Sequence, residues 1–259
     1  MLTPRVIPCL LLRGAGLVKT VRFSNPKYVG DIINAVKIFN DKEVDEIVVL
    51  DIDAHCREGS IQWNLLAQVA SECFMPMCYG GGVRTTDEIK RLFGLGIEKV
   101  SINTAAVENP KLIEDAARLF GNQSIVAAVD VRRTLLGAYS VHSHGGNRKT
   151  DLDLVSYVRE LERRGAGELF LNSMDRDGTQ SGYDLKLIAM VAGAVNVPVI
   201  ASGGAGGLEH FADAVQKGGA SAVAAGSLFV FHGRHRAVLI TYPERALLDG
   251  LFRKVQGQR

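Results

Sequence analysis

Short apolar runs alternate with amphipathic segments along the whole chain. Each apolar run is nearly continuous, which is typical of parallel strands that are covered on both faces. The segments between the runs carry apolar residues at helical spacing, and several of them end in glycine, a common helix C-cap. The pattern therefore predicts eight strand–helix units. The predicted strands are residues 5–12, 46–53, 76–80, 99–103, 124–131, 168–173, 198–202 and 222–227.

Eight such units in 259 residues predict an α/β protein with a (β/α)8 TIM barrel. A doubly wound open sheet is the alternative, because alternation alone does not show that the sheet closes. The longest connection, residues 132–150, is predicted to form a hairpin after the fifth strand. We predict one domain over residues 1–259, with a C-terminal helix at 232–259.

An internal repeat favours the barrel, because two copies of a half-barrel close naturally with two-fold pseudo-symmetry. Residues 79–105 can be laid on 201–227 without a gap, and a slightly different shift lays 5–13 on 124–132. The half-repeats are therefore about residues 1–120 and 121–231. The glycines that coincide are Gly81 with Gly203, Gly82 with Gly204, and Gly96 with Gly218.

Composition excludes several classes of protein. The formal net charge of +2 provides no strong field for nucleic acid or an acidic membrane surface. The N-terminus lacks a signal pattern, and no apolar run reaches the roughly 18 residues of a membrane span. A cytoplasmic protein with reduced thiols is predicted, because the cysteines form no CxxC pair or zinc spacing. These cysteines are Cys9, Cys56, Cys73 and Cys78.

Two glycine-rich loops follow predicted strands, at residues 80–86 and 203–207. Each has a companion after the next strand, at 103–106 and 226–229. Glycine lets backbone N–H groups approach an oxyanion, and loops after the last two strands commonly bind phosphate in this fold. Two cradles in register predict an elongated ligand with a phosphate at each end, with tight turns alone as the alternative. His142 and His144 lack carboxylate support and are predicted to be surface residues, so no metal site is expected.

Several motifs together resemble the cyclase subunit of imidazole glycerol phosphate synthase, from residue 1 to about residue 231. They are "LDIDA", "GGGVRTTDEI", "KVSINTAAVENP", "ERRGAGELFLNSMDRDGTQSGYDLKLI" and "PVIASGGAGGLEHF". The resemblance implies a barrel of histidine biosynthesis that docks a glutaminase subunit on its N-terminal face. Ammonia would then cross the barrel and react with a bisphosphate substrate, giving an imidazole and an aminoimidazole carboxamide nucleotide. It implies no cofactor.

The resemblance also assigns expected roles to particular residues. One phosphate would be held by Gly82, Asn103 and Thr104. The other would be held by Gly178, Gly204 and Ser227. Lys19, Asp51 and Asp177 would face the substrate as well. Four charged residues at the N-terminal ends of strands would form a gate for ammonia, although charges there also commonly serve stability. These gate residues are Arg5, Glu46, Lys99 and Glu168.

The resemblance implies one catalytic aspartate on each half-repeat, and only one is present. Asp130 ends the fifth predicted strand, and the 119-residue shift between the repeats places Leu11 at its counterpart. Leucine can neither donate nor accept a proton, and a positioned acid or base typically contributes about 10²- to 10⁴-fold to a rate. Partial rescue by the neighbouring Asp51 stays open.

Four functions remain open at this point. The chain could be an authentic cyclase subunit, or a paralogue that has lost cyclisation. It could also be a sugar isomerase of a related two-phosphate barrel family, or a binding barrel without activity. We predict the paralogue. Such second copies accompany surface-polysaccharide genes, where ammonia passes to a separate sugar amidotransferase that forms an acetamidino group for lipopolysaccharide.

Overall fold

Eight parallel strands close into a barrel, as the sequence predicts. The computed structural model describes residues 3–54, 61–233 and 235–256. Each barrel strand pairs in parallel with its neighbours, and the pairing of β10 with β7 completes the ring. The open-sheet alternative is therefore wrong. In ring order the strands are β1 (Arg5–Arg13), β4 (Ile47–Asp51), β5 (Met77–Gly80), β6 (Lys99–Ile102), β7 (Ile125–Arg133), β10 (Glu168–Ser173), β11 (Val199–Ser202) and β12 (Ala222–Ala225).

Helices follow the strands and cover the outside of the barrel with their apolar faces. Local capping fixes several starts: Asp31, Thr85 and Asp153 each accept a hydrogen bond from a backbone N–H in the first helical turn. The helices are α1 (Ile32–Asp41), α2 (Trp63–Ser71), α3 (Thr86–Gly94), α4 (Thr104–Glu108), α5 (Lys111–Phe120), α6 (Leu154–Arg163), α7 (Leu185–Ala192), α8 (Leu208–Gln216), α9 (Ser227–Val230) and α10 (Arg245–Gln256). Among the described helices, none combines the length and the apolar character needed to cross a bilayer.

Short antiparallel strands continue the sheet from the ends of β1 and β7, namely β2 (Gly16–Val21), β3 (Ser24–Asp31), β8 (Tyr139–Ser143) and β9 (Arg148–Lys149). A separate two-stranded sheet is formed by β13 (Phe231–His232) and β14 (Ala237–Val238). The hairpin predicted at 132–150 is confirmed by the pairing of β7 with β8. The C-terminal helix begins later than predicted, at Arg245 rather than 232. The reason is that 231–238 pairs as a hairpin, and Pro243 follows it.

The barrel has two separate apolar regions. The larger one lies between the strands and the helices, and the smaller one fills the interior of the barrel. Leu11 and Leu50 pack against the interior cluster from the side of the strands' carboxyl ends. The barrel interior is therefore lined by apolar side chains between its two ends. Its buried members are Ile7, Cys9, Val48, Cys78, Val126, Ala128, Phe170, Ile200, Ala222 and Ala224.

The two half-barrels correspond in space as well as in sequence. Gly81 and Gly203 both have positive φ, and a Cβ on either would lie within 2.6 Å of a carbonyl oxygen of the preceding strand's end. Glycine is required at both places for the same reason. The gap-free alignment is wrong at one point. The left-handed counterpart of Gly96 is Gly219 and not Gly218, because the second half holds one additional residue there.

Candidate functional site

A cavity of about 370 Å³ opens at the carboxyl ends of the strands. Its size lies in the range of small-molecule sites, and the fold commonly places active sites at this end. Four carboxylates line it, from Asp51, Asp53, Asp130 and Asp177, together with apolar side chains of the two halves. The structure thus brings together most of the residues that the sequence singled out for one phosphate and for acid–base chemistry.

Asp130 is buried at the wall of this cavity. Burial raises its pKa to about 6, a hydrogen bond from Asn172 acts in the opposite direction, and the charge of Asp177 raises it further. Nδ2 of Asn172 donates to Oδ1 of Asp130 at 2.9 Å. A carboxyl group whose pKa lies this close to neutrality can both give and take a proton under physiological conditions.

Leu11 occupies the equivalent place in the first half. Leu11 pairs with Leu50 on the parallel neighbour and with Val18 on the antiparallel one. Asp130 pairs in the same manner with Asn172 and His142. The strand register therefore supports the correspondence between Leu11 and Asp130. It also shows that the neighbours of Leu11 are apolar where those of Asp130 are polar.

The first predicted phosphate set faces the cavity. Gly82, Asn103 and Thr104 all line it. The Thr104 hydroxyl accepts a hydrogen bond from the backbone N–H of His144 at 2.9 Å, and the Asn103 amide donates to the Ala128 carbonyl at 3.1 Å. These side chains are thus held in place by the protein itself, with the glycine loop beside them.

The second predicted set lies outside the walls of this cavity. Gly178 is packed beneath the β2–β3 hairpin, where an added Cβ would meet the carbonyl oxygen of Thr20. Gly204 lies against the carbonyl of Gly182, and Ser227 is buried. The wall of the cavity therefore includes the first predicted set and none of the three residues of the second. The hairpin covers Gly178.

Lys19 is also turned away from the cavity. Its ammonium group is buried and donates to the Cys9 carbonyl at 2.5 Å, next to Gly226. Burial lowers the pKa of Lys19, which the nearby Cys9 and Asp177 partly offset. Its position fixes the hairpin against the barrel.

Asp51 and Asp177 each accept hydrogen bonds from neighbouring groups of the cavity wall. Asp51 accepts hydrogen bonds from the Gln62 amide at 3.2 Å and from the backbone of Asp53 at 3.2 Å. Asp177 accepts from the Thr20 hydroxyl at 2.7 Å and from the backbone N–H of Phe23 at 3.1 Å. Burial raises the pKa of Asp177, and those hydrogen bonds and Lys19 oppose the rise.

The four predicted gate residues form a closed ring of ion pairs at the opposite end of the barrel. Arg5 pairs with Glu46, and with Glu168 at 2.5 Å. Lys99 pairs with the same two carboxylates, at 3.0 Å each. Burial acts to lower the pKa of Arg5, but the two carboxylates outweigh it and raise the pKa. Oε1 of Glu46 is buried and has no hydrogen-bond partner among the described residues.

The histidine prediction needs two corrections. His142 is buried rather than exposed, because its ring packs beside Ser140 and the carbonyl of Gly146. His144 has a carboxylate beside it, since its Nε2 lies 3.4 Å from Glu108. Within the described ranges, no group of histidine, cysteine and acidic residues has the arrangement of a metal site. Cys9, Cys73 and Cys78 are free thiols, and Cys56 lies outside the described residues.

Asn172 is the site residue that the sequence reasoning did not select. It stands in the predicted strand 168–173, within an otherwise apolar run, at the position that corresponds to Leu50 in the first half. A polar residue in a buried strand next to the strand of Asp130 was the available signal. The barrel places the two side chains in contact because β7 and β10 are neighbours, although their central residues lie far apart along the chain.

Comparison with known proteins gives a consistent result. Residues 5–236 match the model of the family described as "Histidine biosynthesis protein". A Pseudomonas aeruginosa protein named "Putative imidazole glycerol phosphate synthase subunit hisF2" is 53% identical over 96% of this chain and 99% of its own length. An Alkaliphilus metalliredigens protein named "Imidazole glycerol phosphate synthase subunit HisF" is 46% identical over 90% of this chain and 92% of its own.

Proposed function

Because this chain belongs to the histidine biosynthesis family, among its imidazole glycerol phosphate synthase HisF subunits, we propose that it acts as an ammonia-conducting barrel whose own cyclisation is impaired. It would dock a glutaminase subunit at the charged end and pass ammonia to the mouth. A separate sugar amidotransferase would consume the ammonia there, in the synthesis of an acetamidino sugar for surface polysaccharide. The observation that carries the proposal is Leu11 opposite Asp130, together with a complete ring of charges.

The charged end supports the first half of this proposal. A ring of two cations and two carboxylates closes an otherwise apolar interior, and burying charges costs free energy unless they are paired. The free Oε1 of Glu46 is an acceptor for an N–H group that enters there. The apolar interior beyond it favours neutral ammonia over ammonium, because an unpaired charge is very costly to bury.

The mouth supports the second half. Cyclisation in the resembled reaction needs a proton-transferring group on each half, and Leu11 supplies none. The β2–β3 hairpin packs on Gly178, and none of the second predicted phosphate set lies in the wall of the cavity, which argues against a ligand with two distant phosphates. Asp130, Gly82, Asn103 and Thr104 nevertheless share one cavity, which favours the alternative of an authentic cyclase subunit.

Turnover of the bisphosphate substrate separates these two functions. We expect the chain, purified with its glutaminase and given the substrate with ammonium salt, to form no imidazole product. Formation at a rate within about tenfold of a genuine cyclase would overturn the proposal, since loss of one acid or base costs more than that.

Blocking the interior tests conduction itself. Ala224 is a buried member of the interior cluster, so Ala224→Leu should fill the barrel, whereas Ala224→Ser is a matched control of nearly unchanged size. We expect the leucine variant to lose glutamine-dependent amidation of the sugar by the third protein while ammonium-dependent amidation persists. Unchanged glutamine-dependent product from a folded leucine variant would contradict conduction through the barrel.

A further inference from the structure

A second cavity, of about 480 Å³, lies beside the mouth, on the other side of the loop that carries Asp177. Three arginines contribute to it, from three different segments of the chain: Arg22, Arg133 and Arg176. Hydroxyl groups and two carboxylates complete the wall. The remaining lining residues are Thr134, Asp175, Thr179, Ser181 and Asp184.

The three arginines outnumber the two carboxylates that line the same cavity, Asp175 and Asp184. In the part of the chain that the structure describes, none of the three arginines makes a direct ion pair with either carboxylate. Asp184 is engaged elsewhere: it accepts from the Tyr139 hydroxyl at 3.0 Å and caps α7 through the backbone of Leu187.

Asp175 is likewise occupied. Its carboxylate accepts the backbone N–H of Arg133 at 2.6 Å, which positions the segment that carries Arg133. Arg176 donates to the Ser181 hydroxyl at 3.1 Å, so its guanidinium is oriented by a neutral group. Three guanidinium groups therefore face two carboxylates that are hydrogen-bonded to neutral groups, and the excess positive charge attracts an anion.

Arg22 reaches the cavity from a strained turn. Arg22 and Phe23 connect β2 to β3 with φ of 54° and 60°, a conformation that usually carries asparagine or glycine. The backbone N–H of Arg22 donates to the Asp177 carbonyl at 2.9 Å, which fixes the turn beside the cavity. A large side chain held at left-handed φ is costly, and such strain concentrates at ligand sites.

We propose that this cavity binds the phosphate or diphosphate group of a small phosphorylated molecule. The planar guanidinium fork matches phosphate oxygens, and hydroxyl groups add neutral donors. The volume exceeds that of one phosphate group, so the rest of a sugar phosphate also fits. The bound group would tie the β2–β3 hairpin to the loops after β7 and β10. This site is independent of ammonia conduction and separate from the phosphate set at Gly82.

Titration of the purified chain with inorganic phosphate and with pyrophosphate, followed by calorimetry, tests the site. We expect saturable binding at millimolar concentrations, with Arg22→Ala and Arg133→Ala each weakening it about fivefold or more, since each removes a charge-assisted contact. Arg118→Ala is the matched control, because Arg118 is exposed on α5 and pairs with Asp115 far from the mouth. Thr104→Val reports on the central cavity, because phosphate bound there is lost in this variant and persists in the two arginine variants.

Two results would overturn the assignment. Binding that Thr104→Val weakens while Arg22→Ala and Arg133→Ala leave intact would place the anion in the central cavity. Absence of saturable binding by the wild-type chain would also reject a small phosphate ligand, and loss of a protein partner in the same arginine variants would then indicate an acidic docking segment. Thermal melts of each variant establish that the fold is retained.

Discussion

The two halves of the mouth share one backbone arrangement and differ in chemistry. In the second half, Asp130 has Asn172 and His142 as its strand neighbours. In the first half, Leu11 has Leu50 and Val18 at the matching places. The difference extends beyond the missing acid, because the hydrogen-bond donor that would accompany it is absent too. At these matched positions the first half is apolar.

This contrast explains why leucine is stable at position 11. Leu11 and Leu50 pack on the interior cluster and bury apolar surface, which favours folding. Asp130 shows the opposite balance, since its raised pKa means that ionisation inside the protein is unfavourable. Asp130 in the second half therefore lowers the stability of the fold and supplies a group that exchanges protons near neutrality. Leu11 in the first half does not lower the stability in this way.

The largest expected effect comes from removing the carboxylate of Asp130, the acid of the second half. Asp130→Asn should stabilise the protein above pH 7, by up to about 3 kcal/mol, because a pKa raised from 3.8 to about 6 penalises the ionised folded state. The folded state holds its proton more tightly than the unfolded state. Wild-type stability therefore falls as pH rises from about 4 to 6, and the variant should not show this fall. Urea unfolding across this range measures it.

A matched control is Asp213→Asn, since Asp213 forms an ion pair with Lys217 on the surface of α8. Exposed pairs contribute little, so a change within about 0.5 kcal/mol is expected there. Equal stability of wild-type and Asp130→Asn proteins at pH 5 and pH 8 would contradict an unfavourable buried carboxylate.

The reverse substitution brings the first half toward the second. Leu11→Asp should destabilise by roughly 2 kcal/mol at pH 7, because Leu50 and Val18 offer the new carboxylate no side-chain donor. Adding Leu50→Asn recreates the pair seen in the second half and should recover about 1 kcal/mol, a coupling that a double-mutant cycle measures. Leu11→Asn separates the effect of polarity from that of charge. If the effects of Leu11→Asp and Leu50→Asn on the free energy of unfolding simply add, the new side chains do not interact. The aspartate–asparagine pair of the second half then cannot be transferred to the first half.

Much of the fold could be predicted because its signals are local and repeated. The eight strands were found from apolar runs, and the repeat located Leu11 opposite Asp130. The sequence does not predict the hairpin strand that starts at Gly16, since "GLVKTV" follows Gly14 and begins with a glycine, a pattern that reads as a loop. The sequence also does not predict the later start of α10, because the short pairing of 231–232 with 237–238 carries no alternating apolar pattern.

Residues of the site could be predicted only where the pattern that identifies them lies within one short stretch of sequence. Gly82, Asn103 and Thr104 follow strand ends and line the cavity as expected. The covering of Gly178 by the hairpin depends on a contact with Thr20 across 158 residues, which no local pattern reports. Lys19 turns inward for the same reason. Its orientation follows from the packed position of the hairpin and from the Cys9 carbonyl that accepts its hydrogen bond.

The smallest expected effect concerns the hydrogen bond that the first half lacks. Asn172→Leu places at β10 the residue type that stands at the matching place on β4. The Asn172 amide lowers the pKa of Asp130, so its loss should raise that pKa further above about 6. Carboxyl ¹³C chemical shifts followed against pH report the midpoint directly, and Asn103→Leu serves as a control because its amide donates to Ala128 and His142 instead. An unchanged or lowered titration midpoint of Asp130 in the Asn172→Leu variant would mean that Asn172 does not lower the pKa of Asp130. In that case, the difference between the halves would rest on Leu11 alone.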